Sequence, residues 1–192
     1  MDATRFYTDD ELDTWIPVAA LLELLPRELD AQLLRDADLT HFDYFALSML
    51  TNAPGHRLQM KQLASMTNAT MPRLSHVVSR LERRGLVARE PNAADARGVD
   101  VVITPEGRRV VLQATPGHVA TVRGLVLDAL DDRQREQLRE IAAAVLARID
   151  PDGRMAASRP RTGRLAASAT ATPDVVESPA AAPVPAPAFT AE

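Results

Sequence analysis

The sequence predicts a mainly α-helical fold that carries one small β-hairpin. Of its 192 residues 46 % are hydrophobic but only 4 % aromatic, so the core must be built from Leu, Val and Ala, a composition that favours helices. Apolar residues recur at three- and four-residue spacing over most of the stretch up to residue 150. Two short β-rich runs, 86–90 and 99–103, are separated by Pro91-Asn-Ala-Ala-Asp-Ala-Arg-Gly98, which has the composition of a hairpin tip.

Thr8-Asp-Asp-Glu opens the first helix, because a capping hydroxyl followed by acids satisfies free amides and the positive end of the helix dipole. Leu12, Trp15, Ile16, Ala19, Leu22, Leu25, Leu29 and Leu33 continue it as one amphipathic stripe, in which Pro26 is expected to kink or split the helix. Thr40 caps a second helix with Phe42, Phe45, Ala46, Met49 and Leu50 on its apolar face, ending at Asn52-Ala-Pro-Gly. Leu58 suggests a short strand before a helix from Met60 to Met66, and Asn68 tolerates the left-handed backbone that ends such a helix. Thr70 caps the next helix, Pro72 is allowed in its first turn, Leu74, Val77, Val78 and Leu81 face inward, and Gly85 stops it. After the hairpin, in which Val99, Val101 and Ile103 alternate against Asp100 and Val102, Thr104-Pro105-Glu106 starts a helix. Pro116-Gly117 predicts a break or sharp kink there, with resumption through 119–130. Asp131-Asp132 caps a last helix carrying Leu138, Ile141, Ala142, Val145, Leu146 and Ile149 on one face.

Charge is unevenly spread. The net charge is −4, yet residues 57–109 hold ten basic and five acidic groups, against three and eleven before them. No stretch approaches the roughly 20 apolar residues of a membrane span, and the acidic start does not resemble a signal peptide, so the expected compartment is the cytoplasm. Cysteine is absent, which removes disulfides and thiolate metal sites. His41, His56, His76 and His118 show no ligand spacing, and no phosphate loop or nucleophile elbow appears, so neither a metal, a cofactor nor an enzyme is expected. Residues 151–192 hold half of the fourteen prolines among Ala, Ser and Thr and are expected to form a disordered tail.

Helix, turn, helix and hairpin within one basic stretch is the winged helix-turn-helix plan. A recognition helix lies in the major groove with the preceding helix on the backbone, and an Arg at a wing tip can enter a narrow minor groove. The candidate DNA-contacting residues are therefore Thr70, Arg73, Ser75, His76, Ser79, Arg80 and Arg83 from the helix, and Arg97 in the wing, with Asp95 aiming its guanidinium. Arg83 and Arg84 are expected to touch phosphates or pair with Glu82 and Glu90.

Leu63-Ala64, the run Ser79-Arg80-Leu81-Glu82-Arg83-Arg84-Gly85-Leu86-Val87, Asp95-Ala96-Arg97-Gly98, Leu39-Thr40 and Ile103-Thr104-Pro105-Glu106-Gly107 together resemble the MarR family of bacterial transcriptional regulators. The resemblance covers roughly residues 10–150. It implies a MarR-type domain over 1–150, with dimerisation helices at about 8–38 and 110–150 and the winged lobe at about 57–109. It further implies a cytoplasmic homodimer on a pseudo-palindromic operator, associated with the nucleoid when bound. Family members are commonly repressors released by small aromatic or phenolic ligands held between the dimer helices and the DNA-binding lobe. Met71-Pro72 departs from the family by giving the recognition helix an apolar start, and Asn68-Ala69 stands where a Gly is common.

Six of the seven aromatics lie within the first 45 residues. Trp15, His41 and Tyr44 are the candidates for an effector crevice; the competing reading, which helical spacing favours, is a dimer or lobe core. For the chain as a whole the alternative is a winged-helix module that binds protein instead of DNA.

Overall fold

The computed structural model describes residues 6–92 and 98–155. Six helices and a three-stranded antiparallel sheet follow the order α1 (Asp9–Ala37), α2 (His41–Asn52), β1 (Arg57–Gln59), α3 (Met60–Met66), α4 (Met71–Arg83), β2 (Val87–Pro91), β3 (Val99–Ile103), α5 (Pro105–Val122) and α6 (Asp132–Ile149). A 3₁₀ turn, Pro54–His56, precedes β1, and a π-helical stretch, Arg123–Leu127, follows α5.

Local chemistry sets the helix starts. Thr8 accepts from the Glu11 amide at 3.2 Å while the Glu11 carboxylate accepts from the Thr8 amide at 2.8 Å. Thr40 with Asp43, and Asp131 with Gln134, form the same reciprocal cap. Asn68, two residues beyond the end of α3, adopts the expected left-handed backbone with φ 50°.

Neither helix that carries internal prolines is split there. α1 runs unbroken through Pro17 and Pro26. Each proline removes one amide, but the carbonyls so freed, on Asp13 and Leu22, belong to exposed residues, within reach of solvent as an alternative partner. α5 likewise runs through Pro116, which orphans the carbonyl of exposed Leu112, and the irregularity comes later, at Arg123. Gly117 is a packing residue: a Cβ there would lie 2.8 Å from Asp36 Oδ2 and 3.2 Å from Gln32 Nε2, so glycine lets α5 lie close against α1. Gly107 does similar work at the other end, where a Cβ would fall 2.1 Å from the Leu86 carbonyl oxygen.

In the sheet β3 is central, pairing with β1 (Leu58 opposite Val101) and with β2 (Glu90 opposite Asp100). Leu33, Leu39, Leu47, Leu50, Leu63, Leu74, Val78, Leu81 and Val101 fill one core in which α2, α3, α4 and the sheet meet, with the end of α1 and the start of α5 as its lid. Asp100 is only 6 % exposed, whereas Val99, on the opposite set of the alternation, is 39 % exposed. Asp100 is tolerable there because Asn92 Nδ2 donates to its carboxylate at 2.7 Å.

Candidate nucleic-acid interface

α4 carries its inner face into the core: Leu74, Val77, Val78 and Leu81 are all buried. Thr70 caps it, accepting from the Arg73 amide at 3.4 Å, and Pro72 occupies a first-turn position whose amide would be unpaired anyway. With 3.6 residues per turn, the outward face is then centred on Pro72, His76, Ser79 and Arg83. Arg73 and Arg80 lie on one flank, Met71 and Ser75 on the other.

The two flanks are tied to the rest of the lobe. On one side the Arg73 guanidinium lies 4.4 Å over the Phe42 ring, and Arg80 Nη2 donates to Asp43 Oδ1 at 2.5 Å. The Asp43 side chain is 2 % exposed and its other oxygen accepts from the Thr40 amide at 3.0 Å. Arg73 and Arg80 are therefore fixed from α2. On the other side Arg89, in β2, grips the helix: its amide and Nη1 donate to Glu82 at 3.1 and 2.5 Å, and its Nη2 to Ser79 Oγ at 2.9 Å and the Ser75 carbonyl at 3.1 Å. At the centre, His76 and Arg83 are exposed and their side chains have no ion pair or hydrogen bond among the described residues.

The expected partners of the helix end need correction. Arg84 donates to the Asp38 carbonyl at 2.5 Å and pairs with its carboxylate at 3.3 Å, while Glu82 belongs to Arg89 and Glu90 pairs with Arg57 at 3.1 Å. Sequence spacing finds neighbours one helical turn apart; Asp38 is brought to Arg84 only by tertiary packing. Arg89 and Asp43 were missed for the same reason. Asp43 carries a signal as the capping partner of Thr40, but nothing local indicates its burial. Asp95 and Arg97 lie outside the described residues. The hairpin on either side of them is held by Asn92 donating to the Gly98 carbonyl at 3.0 Å.

Of the aromatic candidates, His41 and Tyr44 come together and Trp15 does not join them. Their rings lie 5.8 and 4.6 Å from that of His118 on α5, and the Tyr44 hydroxyl is 3.1 Å from Thr115 Oγ1. The His41 amide donates to Asp30 Oδ1 at 2.5 Å. Trp15 is about 22 Å further along α1 from Asp30 at 1.5 Å per residue. Burial lowers the pKa of His41, against the opposing pull of Asp30; burial lowers that of His118 too, with His41 adding to the effect. A cavity of about 540 Å³ opens between α1, α2 and α4, with Asp30, His41, Phe42, Phe45, Arg73 and Arg80 on its walls. Among the described residues no group of three or more His, Cys, Asp or Glu could hold a metal, and no helix is long and apolar enough to cross a membrane.

The MarR family model matches residues 37–98, from the end of α1 to the far side of the hairpin. Sco3205 of Streptomyces coelicolor, a MarR family transcriptional regulator solved in complex with DNA, is 39 % identical. The match covers 79 % of this chain and 94 % of that one with a TM-score of 0.75. The chain belongs to the MarR family. AbsC, a MarR regulator of the same organism, is 32 % identical over 76 % of this chain and 98 % of its own, with a TM-score of 0.73. The transcriptional repressor YetL of Bacillus subtilis is 26 % identical over 103 residues, 54 % of this chain and 61 % of YetL; the chain thus spans about three fifths of that relative. The family model spans α2 to the hairpin, and the structural match to Sco3205 extends over 79 % of the chain.

Proposed function

We propose that this MarR-family chain is a DNA-binding transcriptional repressor that acts as a homodimer on a pseudo-palindromic operator. The observation that carries the proposal is the outward face of α4, where His76 and Arg83 stand exposed and unpaired in the described residues while both flanks are braced by Asp43 and Arg89. A helix so held presents its polar side chains to a major groove with little ordering left to do. Sco3205, similar to this chain over most of its length, was solved on DNA. Thr70, Ser75 and Ser79 supply hydroxyls along the same helix, Arg73 and Arg80 lie at its edge, and Asp95 and Arg97 belong to a wing that would reach an adjacent minor groove.

Dimerisation is supported by apolar surface that one chain leaves uncovered. Trp15, Ile16, Leu21, Leu22 and Leu24 on α1, and Ile141, Val145 and Ile149 on α6, are 46–71 % exposed. The cavity between α1, α2 and α4 supports release by a small aromatic ligand, since Phe42, Phe45 and His41 offer apolar and ring surface while Arg73 and Arg80 offer charge to an acidic group. A ligand seated there would touch three side chains of the recognition helix directly, Arg73, Val77 and Arg80.

Fluorescence anisotropy on genomic fragments across a salt series tests the proposal. Affinity should fall steeply with salt, because bound cations displace counterions from phosphates. Arg97→Ala should weaken operator binding severely and leave the melting temperature nearly unchanged. A winged-helix module that binds protein would instead ignore DNA at every salt concentration.

A further inference from the structure

The first turn of α4, the part of a recognition helix that comes nearest to the base edges, carries no hydrogen-bonding side chain at its first two positions. Met71 is 46 % exposed and Pro72 is exposed beside it. Next to them the surface dips into a depression of about 560 Å³ between α3, α4 and the hairpin, where Met60, Met71, Pro72 and Val99 supply apolar lining and Lys61, the chain's one lysine, is exposed. This apolar patch sits inside the basic lobe, with Arg73 and Arg83 further along the same helix.

Two side chains and a shallow dip are too small for a stable protein partner, which needs about 1,000 Å² in total. The cations around them match a polyanion. Among the groups that base pairs display in the major groove, one is apolar: the C5-methyl of thymine. From this we infer that Met71 and Pro72 read thymine methyl groups, so that each operator half-site carries thymine opposite the start of α4. The inference rests on the DNA-binding reading above. It assigns base discrimination at this end of the helix to contact of apolar surfaces, with His76 and Arg83 supplying the polar contacts further along.

The test uses the full chain and the duplex it selects from a random-sequence pool. Each thymine is replaced in turn by deoxyuridine, which removes the methyl and leaves every hydrogen-bonding group in place. One or two adjacent positions per half-site should lose about fourfold in affinity, and about fifteenfold when both half-sites are changed, from burial of one methyl each. The Met71→Ala/Pro72→Ala double variant should be indifferent to the same replacement, and Met71→Leu should keep the sensitivity; a thermal melt of each variant verifies folding. Tight binding by the unaltered chain with no thymine position sensitive to methyl loss overturns the inference and leaves the DNA-binding reading intact. So does a folded double variant that remains fully sensitive. Absence of binding to any duplex at low salt overturns both.

Discussion

The winged lobe and the terminal helices differ in how completely one chain packs them. In α4 the four inward residues are at most 8 % exposed, and the strand behind them contributes fully buried Val101. In α6 no residue is buried, and Leu138, Ile141, Val145 and Ile149 are 42, 60, 50 and 71 % exposed along one face. The first half of α1 is equally bare. The lobe is thus a finished core, whereas the helices at either end carry apolar stripes that no other described element covers. Most helical stability in proteins comes from packing of an amphipathic face, not from intrinsic propensity, so the helical end should draw its stability from a second copy and the lobe from itself.

Substitutions in the two regions should therefore fail in different ways. The largest effect is expected in the lobe: Leu74→Ala, at a fully buried site, should cost about 2–5 kcal/mol in denaturant titration. A loss below about 1 kcal/mol would mean that the lobe core is looser than its burial indicates. Asp43→Ala should follow at about 1–3 kcal/mol, combining a lost helix cap with a lost bond to the Arg80 guanidinium. It should also weaken DNA binding, since Arg80 would lose the side chain that holds it against α2. On α6, Ile141→Asp should shift sedimentation equilibrium towards monomer; an unchanged dimer would mean that this face is not the interface.

Acidification sharpens the contrast in a third way, because His41 and His118 lie where α2 meets α5. Their pKa values are lowered by burial from 6.5, so below that value the unfolded chain takes up protons that the folded one resists. Stability should fall as pH drops through 6.5, and His118→Gln should flatten the dependence in melts between about pH 7.5 and 5.5. The smallest stability effect belongs to Arg83→Ala. It should stay within about 0.5 kcal/mol of the parent because the side chain is exposed and unpaired among the described residues, while DNA affinity drops. Equal losses of affinity on all sequences would mark it as a phosphate contact; relaxed preference at one position would mark it as a base reader.

Local sequence determined much of this molecule: the caps at Thr8, Thr40, Thr70, Thr104 and Asp131, the inward stripe of α4, the hairpin pairing and the MarR signature. These depend on neighbours within a turn or on the alternation of a strand, which spacing reveals directly. Proline misled at positions 26 and 116 because its cost depends on what else can satisfy the freed carbonyl, and that is a matter of exposure. The pairing of Arg80 with Asp43, Arg84 with Asp38 and Arg89 with Glu82 and Ser79, and the meeting of His41, Tyr44 and His118, were decided by tertiary structure alone. The reason is distance along the chain: most of these groups lie 37–77 residues from their partners, and the shorter reach of Arg89 depends on how the hairpin folds back over α4. Which arginines of α4 stay available, and which are bound into the scaffold, follows from packing that no local pattern encodes.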